Sequence, residues 1–240
     1  MRTLILCLLA IIALAAVIVI QPESAKTDAQ NNFGMPWQIT INNDQSQVFG
    51  LALGSDTLAH SPVNGHASTS STMADAIRVL GSDYELAILA KPDQRGDLEL
   101  FYPRFRTGPL QGKLIVGIEA TEAFINAVKQ APGKQEFLDN GTKKIQLSAV
   151  QHQGAMQLPI RSLTLAPSAR LNDALLKERF GEPSAIIGVN QQVSHYIYQT
   201  LGLAVRVDKK GKDMLHYVSP AAMPELIARL HLEASQGAED

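Results

Sequence analysis

The chain has 240 residues, 45% of them hydrophobic, 18% charged and 5% aromatic, and 21 basic against 23 acidic side chains leave a formal charge of −2. That is globular composition, and it excludes wholesale disorder, a collagen-like chain and, with one cysteine, a disulfide scaffold. The near-neutral balance, a single tryptophan and the lack of a basic stripe point away from nucleic acid as a partner.

Met1-Arg2-Thr3 precedes an apolar run, Leu4 to Ile20, of 17 residues with no charge, proline or glycine. As a helix the run spans about 25 Å, near the lower limit for a bilayer. Arg2 lies before it and Glu23 after it, so the positive-inside rule leaves the N-terminus in the cytoplasm. The expectation is a single-pass inner-membrane protein, anchored through residues 4–20, with a periplasmic C-terminal domain. The alternative is a cleaved signal and secretion to the periplasm. Ala13-Leu14-Ala15 fits a cleavage site, but Val17-Ile18-Val19-Ile20 continues the core beyond it. Cys7 lies inside the run, so the remainder has no cysteine for a disulfide, a metal or a nucleophile.

Residues 1–20 thus read as a transmembrane anchor and the polar residues 21–34 as a linker. Residues 35–150 form a first α+β unit with a polar insert at 60–72, and 151–240 a second. Alternation predicts strand faces at Trp37/Ile39/Ile41, Phe49/Leu51/Leu53, Leu98/Leu100/Tyr102 and Leu114/Val116/Ile118. Thr72, with Asp75 three residues on, predicts a capped helix ending at Gly81. Thr121 starts another, closing at Gly133. Asn140-Gly141 predicts a hairpin turn. Asn172 caps a helix stapled by Leu171 and Leu176 and stopped at Phe180-Gly181-Glu182-Pro183. Strands follow at 193–198, 203–207 and 214–218, a meander with one apolar face, and a last helix starts near Pro224.

The halves echo each other. Asp75-Ala76 precedes Gly81 as Asp173-Ala174 precedes Gly181, and an aromatic strand then leads to an alternating one in each. The expected fold class is α+β: an N-terminal transmembrane helix, then antiparallel sheets with short helices in two tandem units.

Residues 168–218 resemble the SmpA/OmlA family of small lipoproteins, whose fold also occurs in β-lactamase inhibitor protein. The capped helix at Asn172–Leu176, the Gly181–Pro183 stop, the strand His195-Tyr196-Ile197-Tyr198 and the meander through Val205 and Met214–Val218 carry the resemblance. It implies a non-catalytic scaffold that presents a sheet face or loops to other proteins. Members of that family are anchored through a lipidated cysteine, whereas Cys7 follows Leu4-Ile5-Leu6 and has no usable lipobox.

No phosphate-binding loop, dinucleotide fingerprint, zinc-protease motif or nucleophile elbow occurs, and no cofactor is implied. His195 and His216 sit on strands of the predicted meander and are the candidates for a general base. His60 and His66 share the polar insert. The candidate contact surface is Phe101-Tyr102-Pro103-Arg104-Phe105-Arg106. Simple alternation places Arg104 and Arg106 opposite Phe101, Pro103 and Phe105, and Pro103 predicts an edge strand or a bulge. Two guanidiniums beside Phe101 and Tyr102 can grip carboxylates or phosphates. The expected function is a membrane-anchored binding or scaffold protein contacting an envelope protein. The alternatives are an envelope hydrolase using His195 or His216 beside a carboxylate, and a small-ligand or lipid carrier with a closed apolar cavity between the two units.

Overall fold

The computed structural model describes residues 38–42, 45–54, 70–92 and 94–237. Residues 35–240 cluster as one compact unit. A small antiparallel sheet holds β1 (Thr40–Asn42), β2 (Gln45–Val48) and β3 (Leu51–Leu53). The turn between the last two is Phe49-Gly50, both with positive φ (52° and 77°). That geometry suits a two-residue hairpin and takes Phe49 out of the strand its sequence alternation suggests. Its ring instead packs against Phe105, with centroids 5.0 Å apart, and Tyr217, at 5.7 Å.

The main sheet is built from ten antiparallel strands. The first half of the chain supplies β4 (Glu85–Ala90), β5 (Asp97–Thr107), β6 (Leu110–Ile118), β7 (Gln135–Phe137) and β8 (Lys143–Gln146). The second supplies β9 (Ile160–Pro167), β10 (Ala185–Gly188), β11 (Val193–Tyr198), β12 (Leu203–Asp208) and β13 (Met214–Tyr217). Their spatial order is β10-β11-β12-β13-β9-β6-β5-β4-β8-β7.

Among the described residues five α-helices accompany them. They are α1 (Met73–Leu80), α2 (Glu122–Gln130), α3 (Ala149–Ala155), α4 (Asp173–Phe180) and α5 (Met223–Gly237). The Thr72–Asp75 capping box and the Thr121 and Asn172 caps form as their spacing predicts. α2 ends at Gln130, ahead of Gly133. α3 carries its own Ser148–Gln151 capping box. α1 and α4 lie 100 residues apart, and each stops at a positive-φ glycine, Gly81 (93°) and Gly181 (80°). Each then feeds a three-stranded meander, β4-β5-β6 or β10-β11-β12. The two meanders run across the sheet in mirrored order, joined through β9 and β13.

The sheet has two unequal faces. Alternate residues such as Leu98, Leu100, Leu114, Val116, Leu163, Leu165, Val205 and Tyr217 form the main core. α1, α2, α3 and α4 bury Met73 and Ala76, Ile125 and Val128, Ala155, and Leu176 into that layer. On the opposite face α5 packs Met223 and Leu226 against Ile187, Ile197, Ala204 and Val218.

Two expectations are corrected. The antiparallel sheets expected behind a transmembrane helix are one mostly β assembly, with a ten-stranded sheet spanning both halves of the chain. The reason is β9: its backbone pairs with β6 on one side and β13 on the other, so the two apolar faces become continuous. The single-pass inner-membrane and periplasmic assignment is also corrected. Among the described residues no helix is long and apolar enough to cross a membrane. The run 4–20, the linker 21–34 and most of the insert with His60 and His66 lie outside the described residues.

Candidate functional site

The contact residues singled out from the sequence fall on β5, an internal strand rather than an edge. β4 covers it only from Asp97 to Phe101, so among the described residues no strand pairs with its outer side from Tyr102 to Thr107. On its other side the register with β6 slips between Tyr102 and Phe105. Tyr102 opposes Leu114 and Phe105 opposes Gly112, so three steps on β5 match two on β6. This is a bulge, and Pro103 sits in it, where a missing N–H costs no ladder bond.

The bulge changes which side chains share a face. Tyr102 and Phe105, 3% and 7% exposed, both point into the main core. Phe101 alternates with Tyr102, and Arg104 and Arg106 alternate with Phe105, so all three lie on the opposite face. The structure therefore brings Phe101, Arg104 and Arg106 together and withdraws Tyr102 into the interior. Arg104 reaches the Asp83 carboxylate at 3.0 Å, and Arg106 donates to the Gln111 Oε1 at 3.3 Å. Both guanidiniums remain exposed.

On that face one row of side chains crosses eight strands: Ala185, Ile197, Ala204, His216, Thr164, Ile115, Phe101 and Glu85. α5 shields the Ile197–Ala204 end. The four other helices all belong to the other layer, so among the described residues no helix covers the Thr164–Phe101 end. The next row contains Ser162, Gly117, Glu99 and Ala87. Burial pushes the Glu99 carboxyl up to about 7, with Asp97 adding to the effect and Arg161 opposing it. Arg161 and Asp97 pair at 2.9 Å beside it.

Where α5 meets the sheet, an open-sided cleft of about 280 Å³ holds both histidines. His195 is 3% exposed, and its Nε2 has no hydrogen-bond partner. The Glu233 Oε2 lies 3.5 Å away, longer than a well-formed hydrogen bond. Burial lowers the His195 pKa, Glu233 opposing and Arg206 reinforcing the shift. The His216 Nδ1 shares a 2.6 Å hydrogen bond with the Thr164 hydroxyl across the β9–β13 pair. Burial holds His216 down to about 4, with Arg229 and Arg161 adding to the shift, so its ring is neutral at pH 7. The sequence marked both histidines. The Glu233 partner and the Thr164 tie were missed, because one depends on α5 returning over the sheet and the other on the long-range pairing of β9 with β13.

Elsewhere, the Tyr84 hydroxyl and the His152 Nε2 are 2.9 Å apart. Among the described residues no group of three or more His, Cys, Asp or Glu side chains is placed to hold a metal ion. Comparisons of the chain with protein-family models, with curated proteins and with solved structures each find no match, so the resemblance at 168–218 rests on its own residues.

Proposed function

We propose that this is a non-catalytic binding protein that docks a protein partner on the uncovered part of its ten-stranded sheet. The observation that carries this reading is the β5 bulge, which sets Arg104 and Arg106 beside Phe101 on the face that no described helix covers. An aromatic ring flanked by guanidiniums is the composition of an interface anchor, and it suits a partner presenting carboxylates around an apolar contact. The resemblance of residues 168–218 to a scaffold family supports the same reading.

A second reading rests on one observation, the approach of His195 to Glu233 inside a cleft, which is the arrangement the hydrolase alternative requires. The carrier alternative gains no such support, since it requires a closed apolar cavity and this cleft is open-sided and lined in part by Arg206, Arg229 and Glu233.

The test is crosslinked co-purification of the full chain. The double charge reversal Arg104→Glu/Arg106→Glu is expected to remove the partners recovered with the wild type. Lys177→Glu, on α4 at the other side of the sheet, is expected to keep them. Identical recovery with the double variant overturns the assignment of this face.

A further inference from the structure

We propose that the cleft beneath α5 binds a small amphoteric molecule, a short ω-amino acid whose carboxylate and ammonium groups are separated by a few methylenes. The inference concerns a different part of the molecule from the docking face and does not depend on it. Leu226, Arg229, Leu230 and Glu233 recur at helical spacing and line one side of the cleft. The leucines roof it, and Ala204 and Met214 floor it with apolar surface. Arg229 and Glu233 lie one turn apart, about 6 Å along the helix axis. The cleft thus has a cationic end, an anionic end and an apolar middle. Its volume of about 280 Å³ lies at the lower limit of ordinary ligand sites, roughly 300–1,000 Å³.

Both charged side chains keep capacity for a ligand. Among the described residues Arg229 meets only Glu225, at 4.0 Å, and Glu233 only His195, whose burial favours the neutral ring. The third charge in the cleft, Arg206, is already engaged by the Asp208 carboxylate at 2.9 Å and the Lys212 carbonyl at 3.3 Å. His195 adds a buried ring nitrogen that makes no well-formed hydrogen bond, its nearest polar neighbour being the Glu233 carboxylate at 3.5 Å, an arrangement that folded proteins rarely leave unimproved.

A ligand with two charged heads satisfies each of these groups. Its ammonium donates to the Glu233 carboxylate and to the neutral His195 Nε2. Its carboxylate accepts from Arg229 and from His216, whose Nε2 carries the ring proton when the Thr164 hydroxyl donates to Nδ1. The separation of the two ends favours an ω-amino acid over an α-amino acid, whose charges flank a single carbon. A simple carboxylate or amine leaves one end unmet.

The test is titration of the full chain with γ-aminobutyrate, following the ring signals of His195 and His216 by NMR, with glycine, butyrate and butylamine as probes of one end or the wrong length. γ-Aminobutyrate is expected to move both sets of signals and to bind at least tenfold more tightly than the other three. Arg229→Gln and Glu233→Gln, both exposed on α5, are each expected to weaken it at least tenfold while the thermal melt is unchanged. Unmoved ring signals overturn the proposal. So does equal binding of butyrate or butylamine, or undiminished binding in either variant.

Discussion

Glu99 shows how a single side chain ties the face of the sheet to pH. Its carboxyl is pushed up to about 7 in the folded protein, against an ordinary value of 4.5. Because the folded value is the higher one, this group's stabilising contribution is complete below about pH 4.5 and is lost as pH rises through about 7. Glu99→Gln is therefore expected to remove a fall in stability between those two pH values, and urea unfolding across that range measures it. Asp75 works in the opposite sense. Its hydrogen bonds to Arg78 and to the Thr72 backbone and hydroxyl hold it down to about 2, so its contribution is present above pH 3.8 and fades only as pH falls through that lower value. The two groups thus act in separate pH windows. The Glu99 value was not legible in the sequence, since it depends on burial and on neighbours such as Arg161, on a different strand, that only the register brings close, whereas the partners of Asp75 lie within three residues of it.

Secondary structure was legible wherever the signal was local. The Thr72 cap and its return bond from Asp75 can be read from four consecutive residues, and the structure contains both, with the Thr72 amide 2.9 Å from the Asp75 Oδ2. Thr72→Ala removes the side-chain oxygen that accepts from the Asp75 amide and is expected to cost about 1 kcal/mol in a denaturant titration. The contact strand was only partly legible. Alternation placed Leu98, Leu100 and Tyr102 on one face correctly, but carrying the same parity through Pro103 separated Phe101 from the arginines. One extra residue in the ladder inverts every assignment beyond it. Pro103 was the available signal, and it marked the position of the bulge without its consequence. α3 was missed for a different reason: Ala149–Ala155 contributes one buried residue, Ala155, and so has almost no apolar stripe to detect.

At the scale of the whole molecule, the sequence echo between the halves is present as two capped helices and two meanders, but their union in one sheet was not readable. Sheet order is decided by pairings between distant segments: β6 meets β9 from Gly112↔Pro167 to Ile118↔Ile160, and β9 meets β13 from Leu163↔Tyr217 to Leu165↔Leu215. No local pattern encodes which strand will be the neighbour. The same holds for the helix layers. Among the described helices four bury residues in the main core, while α5, the longest of them, lies on the other side and leaves the Phe101 end of that face uncovered.

The position of β9 has a practical corollary. A break in the peptide chain after Gln157, an exposed residue between α3 and β9, leaves the first fragment with the whole flank of β6 bare and the second with that of β9. Produced separately, each fragment presents an open template for indiscriminate aggregation and is expected to be insoluble. Produced together, the two are expected to reconstitute a soluble heterodimer that elutes as one species on gel filtration. The seam between β6 and β9 is thus a natural place to divide this protein into complementing halves.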